Sequence, residues 1–274
     1  MCTKQTEFME PSAATYKPSV WKLGKYMIYI DYFKEYLACK DFKSLSASLK
    51  YVFTHKLPGE DFQTSSRMGN FLIRKQTTDF QFINYAYERK IKKYIEDNID
   101  TFDIFIDAGA CIGEYCVWIA KMGKRCIAIE PVNFKAVRKN VELNDLQGKV
   151  KVFACGVGSK KEKVSFHVPT GLPSSSYLDR GATAEPNVDI ERLDDLVAQF
   201  DLPAGARILM KMDVEGMEPE LIEGARNFIR TQKNLSLIYE HFPEDNYRND
   251  KALLALAEFT FRDIDKVNRL AIKA

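Results

Sequence analysis

The chain has 274 residues, 46% apolar and 28% charged, values ordinary for a soluble globular protein. Its 40 Lys and Arg face 38 Asp and Glu, a formal charge of +2, so no strong net field selects nucleic acid or an anionic membrane as partner. This length buries a large core without metal or disulfide staples. The six cysteines form no CxxC pair and have no His at ligand spacing, so reduced thiols, no metal and a cytoplasmic location are expected.

Residues 1–20 carry Thr, Ser, Pro and Lys with little periodicity, and read as a loose tail without the apolar run of a signal peptide. Leu23, Tyr26, Met27, Ile30, Phe33 and Leu37 then recur at helical spacing. Leu45, Leu49, Val52 and Phe53 suggest a second helix, which Pro58-Gly59 ends. Residues 67–76 read as a short strand. Residues 21–79 therefore form a helical and strand extension, either a cap or an oligomer surface, with a homodimer allowed for. Its charges mix Lys22, Lys25 and Lys34 with Asp31 and Glu35, unlike a membrane-binding helix.

Residues 80–97 have helical spacing. Strands follow at 102–107, 125–130, 149–154, 208–213 and 235–240, and helices at 113–122, 133–144, 217–229 and 248–258. This rhythm predicts a doubly wound parallel sheet with helices on both faces. Short connections join antiparallel strands, so 259–265 and 269–274 should end the sheet as an antiparallel hairpin. Residues 156–190 interrupt the rhythm and read as an insertion, with a strand at 164–168 and a polar loop holding Ser174, Ser175 and Ser176. The apolar stretch 102–120 contains Asp103, Asp107 and Glu114, which argues against a membrane span.

Asp107-Ala-Gly109-Ala110-Cys-Ile-Gly113 lies at a strand-to-helix junction, where glycines allow a tight turn and close approach to a ligand. Glu130 ends the next strand, where a carboxylate can accept both hydroxyls of a ribose. The loop spacing is D-x-G-x-x-x-G. The dinucleotide fingerprint needs G-x-G-x-x-G, so the cofactor expected is S-adenosyl-L-methionine rather than NAD. No P-loop is present.

DAGACIGEY (107–115) resembles the first motif of class I S-adenosylmethionine-dependent methyltransferases. AIEPVNFKAVRKNVELN (128–144), IERLDDL (190–196), LMKMDVEGMEPELIEGA (209–225) and LIYEH (237–241) narrow the resemblance to the FkbM-type methyltransferases, over about residues 80–260. The resemblance implies a Rossmann-like seven-stranded domain over 80–274. It also implies an O-methyltransferase acting on a hydroxyl of a sugar, surface glycan or secondary metabolite. Asp107, Gly109, Ala110 and Gly113 would line the cofactor, and Glu130 would hold its ribose. Glu88 has a family counterpart in a Tyr-Glu pair and could reach the cofactor or pair with Arg89 or Lys92. Cys111 stands where the family more usually has Asn. The rivals are an NAD-dependent oxidoreductase and a non-catalytic cofactor-binding relative.

In extended chain, Lys211, Asp213 and Glu215 share a face. Burying three charges under helices is costly, so they belong at the strand crest, where Lys211 and Glu215 would either position the acceptor or, with Asp213, form a Lys–carboxylate network that shapes the turn. A hydroxyl needs a base to take its proton. His241 is the first candidate, with Asp213 as alternative base or orienting group, and Glu240 positions hydroxyls. His167 in the insertion is a weaker candidate, and His55 reads as structural.

Overall fold

Our computed structural model describes residues 23–167, 177–178 and 187–274. The tail at 1–20, Val168 and Ser174–Ser176 lie outside the described residues. Helices α1 (Leu23–Ala38) and α2 (Phe42–Thr54) open the described chain. Asp41 caps the second by accepting the Ser44 amide at 3.0 Å. The antiparallel hairpin β1 (Phe62–Ser66) and β2 (Gly69–Ile73) follows, where only one strand was expected. In β1 only Phe62 is apolar, so it carries no alternation to read.

The helix expected at 80–97 is split into α3 (Asp79–Phe82) and α4 (Arg89–Asp97). Lys92 explains the break. Its ammonium is fully buried and donates to the carbonyls of Asn84 at 3.1 Å and Tyr87 at 2.6 Å. A continuous helix would have kept those carbonyls for its own amides.

The alternating part runs β3 (Ile104–Ala108), α5 (Glu114–Lys121), β4 (Arg125–Ile129), α6 (Phe134–Glu142) and β5 (Val150–Phe153). The insertion contributes β6 (Gly156–Val157), β7 (Glu162–Val164), β8 (Phe166–His167), β9 (Tyr177–Leu178) and β10 (Val188–Glu191). Then come α7 (Leu193–Leu196), β11 (Ile208–Met212), α8 (Glu218–Gly224), α9 (Arg226–Thr231), β12 (Leu235–Glu240), α10 (Arg248–Leu254), β13 (Phe259–Asp263) and β14 (Asn268–Lys273).

Seven strands form one sheet in the order β13-β14-β12-β11-β3-β4-β5. The five from β12 to β5 are parallel, and β14 runs antiparallel between β12 and β13. The expected hairpin is present, with β13 at the sheet edge. Strands β3 and β11 are buried along their whole length, as strands covered on both faces must be. Alternate residues feed two apolar layers: Phe105 faces one with Tyr115 and Ile119, and Ile104 and Ile106 face the other with Leu221 and Phe228. Met68, Phe71 and Ile73 of the hairpin share the first layer. The insertion forms a separate three-stranded sheet, β6-β10-β7, and a β8-β9 pair. No helix among the described residues is long and apolar enough to cross a membrane.

The helix expected at 217–229 also breaks, at Ala225. Asp194 accepts the amides of Asn227 at 3.1 Å and Phe228 at 2.8 Å, capping α9. The IERLDDL stretch thus contributes a cap. Asp194→Ala should cost about 1–2 kcal/mol in chemical denaturation and leave ligand binding unchanged.

Candidate functional site

The sheet turns its strand order at β3, which has β4 on one side and β11 on the other. Ligands of open parallel sheets sit at the carboxyl ends of strands at such a point. Here the glycine loop leaves β3 and Asp213 leaves β11. The Asp213 amide donates to Ala108 O at 2.9 Å, and the amides of Gly109 and Ala110 both reach Ile129 O, at 3.0 and 3.2 Å. These bonds hold the loop across three strand ends.

Gly109 has φ +89, and a Cβ there would lie 1.8 Å from the Asp213 carbonyl oxygen. Only glycine fits. Cys111 also takes a left-handed conformation, φ 49, and its amide donates to Glu130 Oε2 at 3.0 Å. Glu130 Oε1 accepts the amides of Val132 at 2.8 Å and Asn133 at 2.7 Å. Burial pushes its carboxyl up, and these amides oppose that push. Glu130 therefore shapes the loop as well as facing the cleft.

Two hollows meet at this loop and share Gly109, Cys111, Asp213 and Glu215. One is flanked by Glu130, Pro131, Phe166 and Ile190. The other is a chamber lined by Phe82, Tyr87, Glu88, Asp107, Lys211 and Glu240, among others. Asp107 pairs in register with Lys211, and burial lifts its carboxyl to about 7. Lys211 bonds Asp213 and lies over the Tyr115 ring. Burial pulls its ammonium down, but Asp213, Glu88 and Asp107 together hold it well above the usual lysine value. Glu88 accepts the Tyr115 hydroxyl at 2.8 Å. Glu240 is pushed up to about 8 by burial and by Asp213.

The cleft thus gathers Asp107, Gly109, Glu88, Lys211, Asp213, Glu215 and Glu240 in the chamber, with Glu130 beside it. Gly113 is the cap residue of α5. His241 is not among the residues lining either hollow. Its amide bonds Val267 O at 2.7 Å, and its ring stacks on Tyr247 with centroids 4.7 Å apart. Among the described residues, no group of three or more His, Cys, Asp and Glu is arranged to hold a metal.

The model of the FkbM methyltransferase domain matches residues 107–265, which contain the glycine loop, Glu130 and the Asp213 turn. The chain belongs to this family. Its sheet is the Rossmann-like fold of class I methyltransferases. Among solved structures it is similar to methyltransferase FkbM from Methylobacillus flagellatus, at 19% identity over 70% of this chain and 53% of that one, TM-score 0.45. It is also similar to the Pyrococcus abyssi tRNA (uracil-54, C5)-methyltransferase, solved with S-adenosyl-L-homocysteine, at 12% identity over 78% and 44%, TM-score 0.40. A precorrin-6y C5,15-methyltransferase from Geobacter metallireducens shows 12% identity over 66% and 88%, TM-score 0.39. The chain spans about half the length of the first two. No curated protein matches the sequence.

Several residues that shape this FkbM-type site escape sequence reading. Arg74 forms a two-bonded pair with Asp79, at 2.7 and 2.9 Å, and donates to Asn133 Oδ1 at 2.7 Å. Asn133 in turn donates to Glu130, so the extension buttresses the candidate ribose acid. Asn140 joins the Leu72 amide, at 2.8 Å, to the Ile112 carbonyl in the glycine loop, at 2.9 Å. Glu218 accepts the amides of Val214 and Gly216, at 3.2 and 3.3 Å, and holds the turn after β11. These partners lie up to 68 positions apart. The one local signal was an acid just after the Asp-Val-Glu-Gly turn.

Proposed function

We propose that the chain is an S-adenosylmethionine-dependent methyltransferase that acts on a hydroxyl of a sugar, glycan or secondary metabolite. The observation that carries this reading is the close passage of Gly109 under the Asp213 carbonyl, with the buried carboxylates of Asp107 in β3 and Glu130 just after β4 beside it. It leaves a cradle with backbone on one side and Glu130 and Asp107 on the other. These residues fit the cofactor: Glu130 Oε2 has capacity for a ribose hydroxyl, and Asp107 Oδ1 is buried with no donor among the described residues. When bound, S-adenosylmethionine supplies an electrophilic methyl group on a sulfonium.

The protein's part is alignment and proton management. Lys211 and Asp213 form a fixed pair that orients an acceptor hydroxyl in the chamber. Three groups compete for its proton. Asp213 lines the chamber but is held by Lys211. His241 is stacked on Tyr247 outside the lining. Glu240 lines the chamber, and its carboxyl near neutral pH suits a base. We assign the proton to Glu240. Glu240→Gln is expected to lower turnover by roughly 10²–10⁴ and His241→Ala by much less. The opposite ranking in acceptor assays would return the role to His241.

Calorimetric titration with S-adenosylmethionine and, separately, with NAD tests the function. Binding of the first alone, lost in Glu130→Ala, is expected; binding of NAD alone would replace this reading with that of an oxidoreductase.

A further inference from the structure

The lining of the chamber has two origins. The glycine loop, Lys211, Asp213 and Glu240 belong to the stretch that the family model matches, residues 107–265. Thr78, Gln81, Phe82, Tyr87 and Glu88 complete the lining and precede that stretch. This second wall consists of α3 and the break before α4, and many bonds hold it. Lys92 is fully buried. Its ammonium donates to the carbonyls of Asn84 and Tyr87, and its amide to Glu88 O at 3.1 Å. A buried ammonium is costly unless paired, and Glu88 and Glu114 stand close enough to stabilise its charge. Asn84 Nδ2 donates to Tyr32 O of α1 at 3.0 Å. Glu88 keeps a left-handed backbone, φ 47, a strain that persists only where the surroundings fix it.

The chemistry of the chamber is one-sided. Among the described residues, its lining holds six carboxylates and one ammonium, Lys211, which Asp213 already binds. No lining cation is left over for a phosphate or carboxylate on an acceptor, and the like charges repel it. Ionised carboxylates accept hydrogen bonds and cannot donate them, so they suit hydroxyl groups. Phe82 and Tyr87 interrupt the charge. Their rings stand at 88° with centroids 5.2 Å apart, an aromatic corner. Ring faces are negative and attract the slightly positive hydrogens of C–H groups. Hydroxyls at the rim and C–H groups on the faces are the two surfaces of a pyranose.

We propose that the segment Phe82–Glu88 selects the acceptor: Phe82 and Tyr87 take the C–H face of an uncharged sugar ring, and Lys92 is the positioning residue that holds them in place. This rests on the methyltransferase reading above. It puts acceptor choice in the extension, outside the stretch that carries the cofactor cradle.

The test is methyl transfer from S-adenosylmethionine by the whole chain to two panels. One holds methyl glycosides of neutral hexoses and deoxyhexoses, and the other the corresponding uronates and 6-phosphates. Uncharged members should be favoured at least roughly 10-fold in kcat/KM. Phe82→Leu keeps an apolar side chain but loses the aromatic face. It should raise acceptor KM roughly 2- to 10-fold, with kcat, S-adenosylmethionine affinity and melting temperature unchanged. Tyr87→Phe keeps the ring and should match wild type. Lys92→Met should raise acceptor KM more than it lowers kcat, and leave S-adenosylmethionine binding as it was. Preference for the charged panel, transfer to no member of either, or an unchanged KM in Phe82→Leu would overturn the proposal. Equal weakening of cofactor and acceptor in Lys92→Met would overturn its positioning role. In each of these cases, calorimetric binding of S-adenosylmethionine by wild type keeps the methyltransferase reading standing; its loss would remove both.

Discussion

Gly109→Ala is expected to lose cofactor binding and about 2–5 kcal/mol of stability together. The left-handed backbone, φ +89, costs a side-chain-bearing residue about 1–2 kcal/mol. The added methyl would also lie 1.8 Å from the Asp213 carbonyl oxygen. That oxygen belongs to main chain tied to β3 through the Asp213 amide and Ala108 carbonyl, so it cannot step aside like a flexible side chain. Relieving such an overlap costs about 1–3 kcal/mol more. Either the β11 crest lifts or the glycine loop does, and each shift opens the cradle. Urea denaturation and S-adenosylmethionine titration of the same sample check the prediction. A variant of wild-type stability that binds normally would refute it.

The second large effect is a fall in stability as pH rises from about 5 to 8. Burial raises the Asp107 carboxyl to about 7 and that of Glu114 to about 8, both well above the ordinary carboxylate range of the unfolded chain. Between those values the folded state binds more protons than the unfolded state, so stability decreases with pH. The slope is up to about 1.4 kcal/mol per pH unit for each such carboxyl. Asp103 has the opposite sign, held down to about 2 chiefly by its bond from Arg207, and so matters only in acid. Lys92, held down to about 8 by burial, offsets the trend only above that pH. Denaturation midpoints at pH 5.5, 6.5 and 7.5 should decline, and Asp107→Asn and Glu114→Gln should flatten the decline. A profile that is level or rises over this range would contradict the burial of these charges.

The sheet was legible because its strands are short apolar runs punctuated by glycine and acids. Asp107, Glu130, Asp213 and Glu240 all fall at the ends of such runs, so the crest they share could be read from spacing. Strand β1 could not be read, because FQTSS pairs through its backbone and buries little. The breaks at 83–88 and at Ala225 depend on Lys92 and Asp194, whose polar groups satisfy backbone atoms that a longer helix would have used. The supports of Glu130 lie in Arg74 and Asn133, brought together across 59 positions. No local pattern records such pairings. Histidine at a strand crest drew attention by its chemistry, but the turn after β12 carries the ring onto Tyr247.

Asn140 of α6 and Asn144, just past its end, have a consequence beyond the cleft. Asn144 accepts the amide of Asn70 at 2.9 Å and returns a bond to its carbonyl at 2.7 Å, and Asn140 accepts the amide of Leu72 at 2.8 Å. Two side chains one helical turn apart thus imitate a neighbouring strand along β2. Exposed strand edges recruit other chains into growing sheets. Here the Asn70 amide and carbonyl and the Leu72 amide are taken from within the same chain, which blunts this side of the hairpin as a template, and the same Asn140 that steadies the glycine loop also works against edge-to-edge pairing.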